Sequence, residues 1–289
     1  DDNRVKTADD LTLQYENPDE IPSIDALVER VRKFADDCME MRNAPVMEEY
    51  YKGPVMYEDE AAKQVITATY LAPDQFYGQQ NYTENPKSLG QKLGKKIIDE
   101  RISIVNSTDK TEYNGEKLYG HYQVDADGFK PEAELSIVEK GVFKTMLNRT
   151  TPAMYAEKST ANSRLANSPA QSIPLLGVGT LHVKADGTTK DDNMLKTLLK
   201  AAKKQKLDYA YVVTTPSGYT SLRLYQVDVK TGERKLVKHN RITLPTESQM
   251  KKFTAISDRP FVSNNVQPYT YSTITPASII VGDAELTKP

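Results

Sequence analysis

The sequence predicts an α+β fold in which a largely antiparallel sheet forms the core and helices flank it. Three observations carry that prediction. A helical stripe and a strand-then-helix unit occupy the early part of the chain; short alternating segments separated by turn signals dominate the rest; and only two further stretches carry a helical pattern.

The opening stretch to Pro22 is polar and acidic without period, and reads as a connector or edge segment. A helix is predicted next. Ser23 is suited to N-capping, Asp25 falls in the first turn, and Leu27, Val31, Phe34, Cys38 and Met41 recur at spacings of four and three. That stripe puts Cys38 on a buried face as a small hydrophobe, and Pro45 closes the element. Residues 1–44 are therefore read as connector and lead-in helix, and 45–289 as the main domain. Tyr51 to Tyr57 reads as a strand, followed by a helix over Glu58 to Leu71 that carries Ala61, Ala62, Val65, Ile66 and Thr69. From Pro73 to Gly94 the chain turns polar and reads as a long exposed excursion.

Strand signals take over from Arg101 to Val105. Leu135 to Val138 and Val142 to Leu147 flank Glu139-Lys140-Gly141, a hairpin whose glycine supplies the positive φ. Along Leu222, Leu224, Tyr225, Val227 and Val229 the apolar parity changes, which predicts a bulge before Lys230 to Glu233 turns the chain into Leu236-Val237. Asp192 to Lys206 reads as a helix with Met194, Leu195, Leu198, Leu199 and Ala202 inward and five lysines forming a solvated flank. Thr246-Glu247-Ser248-Gln249 is a capping box, and the helix it opens is expected to end near Ser257.

Composition removes several function classes. With 38 Lys+Arg against 40 Asp+Glu, the net charge of −2 offers no global field for a phosphate backbone, so no nucleic-acid partner is expected. No apolar run approaches the roughly 20 residues of a membrane helix, so no membrane partner is expected and a soluble protein is. One cysteine excludes an internal disulfide and any multi-thiolate zinc site, and three histidines leave few other metal ligands. The chain starts at Asp1 rather than Met, which raises the expectation of a segment upstream.

Local motifs do not assemble a catalytic set. There is no G-x-S-x-G. Leu175 to Thr180 suggests a phosphate loop, but His182 stands where its third glycine would fall and no helix follows. Asp125-Ala126-Asp127-Gly128 opens like a calcium loop, lacks the later glutamate, and reads as a β-turn. His121 and His182 lie in strand-like contexts and His239 beside a turn, without metal-pair spacing. The 17 tyrosines, with runs at Tyr50-Tyr51 and Tyr269 to Tyr271, suit either a peptide groove or sheet packing.

Several segments, read in order, resemble the C-terminal half of the TldD/PmbA family, long labelled modulators of DNA gyrase and regarded as metallopeptidases acting on unfolded peptides. Ala44-Pro45, Tyr51-Lys52-Gly53-Pro54-Val55 and Glu60-Ala61-Ala62 are similar to its A-P…Y-x-G-P-V-L…A-A segment. Gly90 to Gly94 with Ile102 to Val105 resembles G-x-x-L-G…L-x-V-x-D. Tyr119 to Tyr122, Asp125 to Gly128 and Ile137 to Lys144 follow G-x-y-x-x-D-D-E-G…L-I-E-x-G-V-L-K. Met146 to Thr150 and Ser159 to Arg164 stand where the family has L-x-x-R and S-x-G-x-G-R, and Ile274 to Val281 resembles its closing A-P-S-L-L-V-E strand.

The resemblance implies a barrel-like antiparallel domain, flanked by helices, that forms a cleft with an N-terminal domain. In active members that other domain supplies an H-E-x-x-x-H helix, and a late cysteine completes a metal site. This chain has neither, and Pro260 to Pro276 contains no cysteine. The expectation is a divergent member that binds or processes unfolded or extended peptide, with its metal site altered or lost and no metal or other cofactor held by this chain. Peptide is expected to bind by strand addition. Gly120, His121, Arg149 and Arg164 are the candidate cleft residues. Two alternatives stand beside it: an active zinc metallopeptidase whose H-E-x-x-x-H helix lies upstream, and a non-catalytic assembly scaffold. The family further implies a homodimer or a pair with a homologue, and a cytoplasmic location unless a signal was removed upstream.

Overall fold

The computed structural model describes residues 9–15, 17–47, 49–70, 89–167, 174–238, 242 and 244–286. Most of the polar excursion from Pro73 to Gly94, and His239, lie outside the described residues. No described helix is long and apolar enough to cross a membrane.

Strands β1 (Tyr51–Glu58), β2 (Ile102–Ser107), β3 (Glu134–Glu139), β4 (Val142–Phe143), β5 (Thr180–Ala185), β6 (Tyr209–Thr214), β7 (Arg223–Asp228), β8 (Arg234–Val237), β9 (Ala255–Ile256), β10 (Pro260–Asn265), β11 (Tyr271–Pro276) and β12 (Ser278–Leu286) build two sheets. Each has six strands, ordered β8-β7-β6-β1-β12-β9 and β10-β11-β5-β2-β3-β4. All pairings are antiparallel except β1 with β6 and β11 with β5. The fold is thus α+β and largely antiparallel. Helices α1 (Ile24–Asn43), α2 (Glu60–Tyr70), α3 (Met194–Lys204) and α4 (Glu247–Met250) complete the described framework.

The pleat explains how the first sheet is buried on both faces. Val55, Tyr57, Tyr211, Val213, Leu224, Ile279 and Val281 join a core that also takes Ile104, Ile137 and Leu181 from the second sheet. Their neighbours Met56, Ala210, Val212, Val227 and Ile280 point the other way, onto Met194, Leu198 and Ala202 of α3. This two-sided burial corrects the bulge predicted for Leu222 to Val229. The β6–β7 register runs unbroken from Tyr209↔Asp228 to Thr214↔Arg223, and the two apolar parities are two covered faces. The register shifts fall instead between Gly53 and Val55 in β1 and between Ile104 and Val105 in β2. The hairpin at Lys140-Gly141 forms as read, with φ of 45° and 79° at the two turn residues.

Two helices differ from their predictions. Ser23 caps α1 by accepting from Ala26 N, yet no α1 residue is fully buried, and Cys38 is only half-buried. Phe34 meets the edge of Tyr219 at 5.1 Å, Tyr219 donates to Asp37, and Arg223 donates to the Asp37 carbonyl. A polar clasp, rather than a sheet face, therefore holds the helix. Val31, predicted inward, lies on an outer stripe with Ile24, Val28 and Met39 that is exposed among the described residues. In α4 the Thr246–Gln249 capping box is present, but the helix ends at Met250. Phe253 N donates to Asp99, Thr254 N donates to Ile280 O, and Ala255-Ile256 joins the sheet edge as β9, so tertiary pairing stops the helix.

Candidate functional site

The parallel pair β1/β6 ends at Glu58 and Thr214, and carboxyl ends of parallel strands are where backbone direction leaves room for ligands. A cavity of about 670 Å³ opens there. Its floor is Glu58-Asp59 and the first turn of α2, and one wall is the turn from Thr214 to Thr220. The opposite wall is Phe261 to Asn265 of β10, while Thr12 to Tyr15 and Arg30 of α1 close the rim.

Local chemistry fixes each wall. The segment before α1 is strapped across the turn: Thr12 N donates to Gly218 O, and Asp9 accepts from Thr220 N and Ser221 N. Gly218 has φ +85°, and a side chain there would stand 2.9 Å from Thr12 O, so the strap requires glycine. Gln14 ties the strap to the far wall by accepting from Val266 N. Among the described residues β10 is an edge strand, paired only with β11.

Charge in the cavity is almost fully paired. Arg234 holds Glu58 bidentately at 2.9 and 3.0 Å, and Arg259 holds Asp59 at 2.8 Å. Buried Lys63 pairs with Glu60 and donates to Ser263, which in turn donates to Glu60. Arg30 has no ion pair or hydrogen bond among the described residues. Tyr15 Oη, Thr215 Oγ1 and Asn265 Nδ2 are buried polar atoms without a protein partner.

The residues singled out from sequence lie elsewhere, in the loops around β5. Gly120 packs on Gly179, where a Cβ would come within 2.3 Å of the Gly179 carbonyl oxygen. His121 sits in irregular backbone rather than a strand, exposed, with Nδ1 3.0 Å from Thr108 O. Arg149 grips Asp127 through Nε and Nη2 and donates to Pro174 O. The Arg149 bonds hold the Asp127 carboxyl down at about 2, against the opposing pull of burial. Arg164 lies 3.9 Å over the Tyr122 ring and donates to Thr270 O, and burial lowers its pKa. Tyr122 lies against Gly179, on which Gly120 packs, and under the Arg164 guanidinium, so Gly120 and Arg164 share one packed region, and Arg149 joins it through Asp127 and the Asp125 turn, while His121 stays exposed.

Asp125 forms the expected turn, accepting from Asp127 N and Phe129 N, with Gly128 at φ 87°. The glycines of Leu175 to Thr180 serve packing: Gly177 abuts the Tyr269 ring. Tyr51 packs among Tyr209 and Tyr211, so these tyrosines take the sheet-packing role. His182 lies on β5 against Tyr113 at 5.2 Å, and burial, with Lys110 and Lys184 nearby, draws its pKa down to about 4.

Sequence reasoning missed Tyr15, Arg30, Lys63, Thr215 and Asn265. The available signal was the strand-then-helix unit, whose junction Glu58-Asp59-Glu60 marks a carboxyl end. The residues present do not fit the zinc that the resemblance implies. Among the described residues no three His, Cys, Asp or Glu side chains converge on a metal position, and the cavity carboxylates are each committed to a cation. The stretch where the family places its cysteine does reach the cavity, but as Phe261 to Asn265.

Comparisons with known proteins agree with this architecture. The profile of the PmbA/TldA metallopeptidase C-terminal domain matches residues 51–288. Comparison with curated protein sequences finds no match. Among solved structures, TldE from Thermococcus kodakarensis superposes with a TM-score of 0.58 at 16% identity, over 91% of this chain and 55% of its own. A candidate modulator of a DNA gyrase from Thermotoga maritima gives 0.60 at 18%, over 93% and 56%, and one from Bacteroides thetaiotaomicron 0.54 at 14%, over 89% and 52%. These identities speak to fold alone, and the chain spans about half the length of each structure. With the profile match covering most of the sequence, the chain belongs to the TldD/PmbA family and carries its C-terminal domain.

Proposed function

We propose that the domain binds extended peptide in the cavity between the β1/β6 carboxyl ends and β10, without a metal centre of its own. One observation carries the reading: an edge strand, with one side of its backbone free of strand partners among the described residues, forms a wall of the cavity. A peptide laid along β10 gains main-chain hydrogen bonds while the cavity takes a side chain or terminus. Titrating a labelled unfolded peptide against the chain should saturate below millimolar, and the same peptide with alternate backbone amides N-methylated should bind far more weakly. Absence of binding up to millimolar overturns the reading.

The metallopeptidase alternative requires a ligand set that the described residues do not assemble, and stoichiometric zinc in the purified chain would restore it. Pairing with a second copy or a homologue has one support, the outer stripe of α1, in which Ile24 and Val31 are 79% and 56% exposed. Light scattering reads that directly.

A further inference from the structure

We infer that the cavity recognises a carboxylate on its peptide, a deepening that rests on the peptide reading of the same site. The argument is charge and donor accounting. Glu58, Asp59 and Glu60 are neutralised by Arg234, Arg259 and Lys63, so an incoming ammonium finds no uncommitted acid. The remaining lining charge is the Arg30 guanidinium, half-buried and unpaired among the described residues. A guanidinium in that state suits a planar anion that accepts two parallel hydrogen bonds.

The neutral groups point the same way. Thr215 is 5% exposed and its Oγ1 lacks a partner; Tyr15 Oη lacks one; and the unpartnered atom of Asn265 is its Nδ2, a pure donor. All three can donate, and buried donors without acceptors carry a cost that an acceptor-rich ligand removes. A carboxylate supplies up to four lone-pair sites and one negative charge. Two sources offer it: the free C-terminus of a peptide or an acidic side chain within it.

Three peptides of one neutral sequence separate the outcomes by fluorescence anisotropy: the free acid, its C-terminal amide, and the amide with one internal Asp. The free acid should bind about ten-fold more tightly than the plain amide, the size of one charged hydrogen-bonding contact. An advantage shown by the Asp peptide assigns the side chain as source and equally supports the inference. Arg30→Gln should erase the difference. Thr215→Val, which keeps every charge, should reduce it at least about three-fold, the loss of one hydrogen bond from an uncharged donor. Equal affinity for all three peptides overturns the carboxylate inference and leaves peptide binding standing, whereas no binding by any of them overturns both.

Discussion

The cavity and the loop region around Gly120 contrast in how they treat charge. In the loop region each charge meets a fixed partner: Arg149 with Asp127, Arg164 with Tyr122 and Thr270 O, and Asp125 with three backbone amides. Buried unmatched polar atoms occur in both regions, Tyr15 Oη, Thr215 Oγ1 and Asn265 Nδ2 at the cavity and Asn162 Oδ1, Ser163 Oγ, Arg164 Nε and Thr180 Oγ1 in the loops, but only the cavity holds a whole guanidinium, Arg30, unpaired among the described residues. Paired charges rigidify a fold, while an unpaired guanidinium beside open space is available to an anion.

Substitutions can break that comparison. The largest effect is expected for Gly120→Ala. Its Cβ would press on the Gly179 backbone, so unfolding free energy in a urea titration should fall by about 3 kcal/mol, with peptide affinity unchanged in the folded fraction. Arg149→Ala strands a half-buried carboxylate and should cost about 2 kcal/mol by the same titration, again without loss of peptide affinity. Affinity lost at full stability would instead move the peptide site to the loop region.

Acid sharpens the contrast. The Asp127 carboxyl is held at about 2 by Arg149, and that of Glu134 at about 2 by Lys110 and Lys184. Both lie below their unfolded values of about 4, so their stabilisation is complete above that pH and is lost as pH falls through 2. Denaturation midpoints should therefore drop between about pH 4 and pH 2, and Asp127→Asn should remove part of that drop. At the cavity the sign reverses. Thr215→Val removes an unmatched hydroxyl, so stability should hold or rise by about 0.5 kcal/mol while peptide binding weakens. Smallest of all, Val31→Glu on the outer face of α1 should change monomer stability by less than about 0.5 kcal/mol, yet shift any paired species to monomer in light scattering.

Much of the architecture was legible. Ser23, the Thr246–Gln249 box, the Lys140-Gly141 turn and the α3 stripe are local signals, and each forms as read. Errors arose where a distant partner decided. The parity change in β7 looked like a bulge because α3 covering the second face could not be foreseen. The α1 stripe looked buried because periodicity reports amphipathicity and not what covers it. The family motifs marked Gly120, Arg149 and Arg164 as important, and the structure gives them packing contacts, while Arg30 and Thr215 carried no motif at all.

By itself, the sequence determined the α+β class, the capped helices and turns, and the family, because caps, turns and periodicities act within a few residues. Only the tertiary structure decided which distant residues share a cavity. Val55 pairs in parallel with Tyr211, and Arg30, Thr215 and Asn265 converge at one cavity across most of the chain length. Such pairings depend on burial and strand register across the whole fold, which no local pattern encodes.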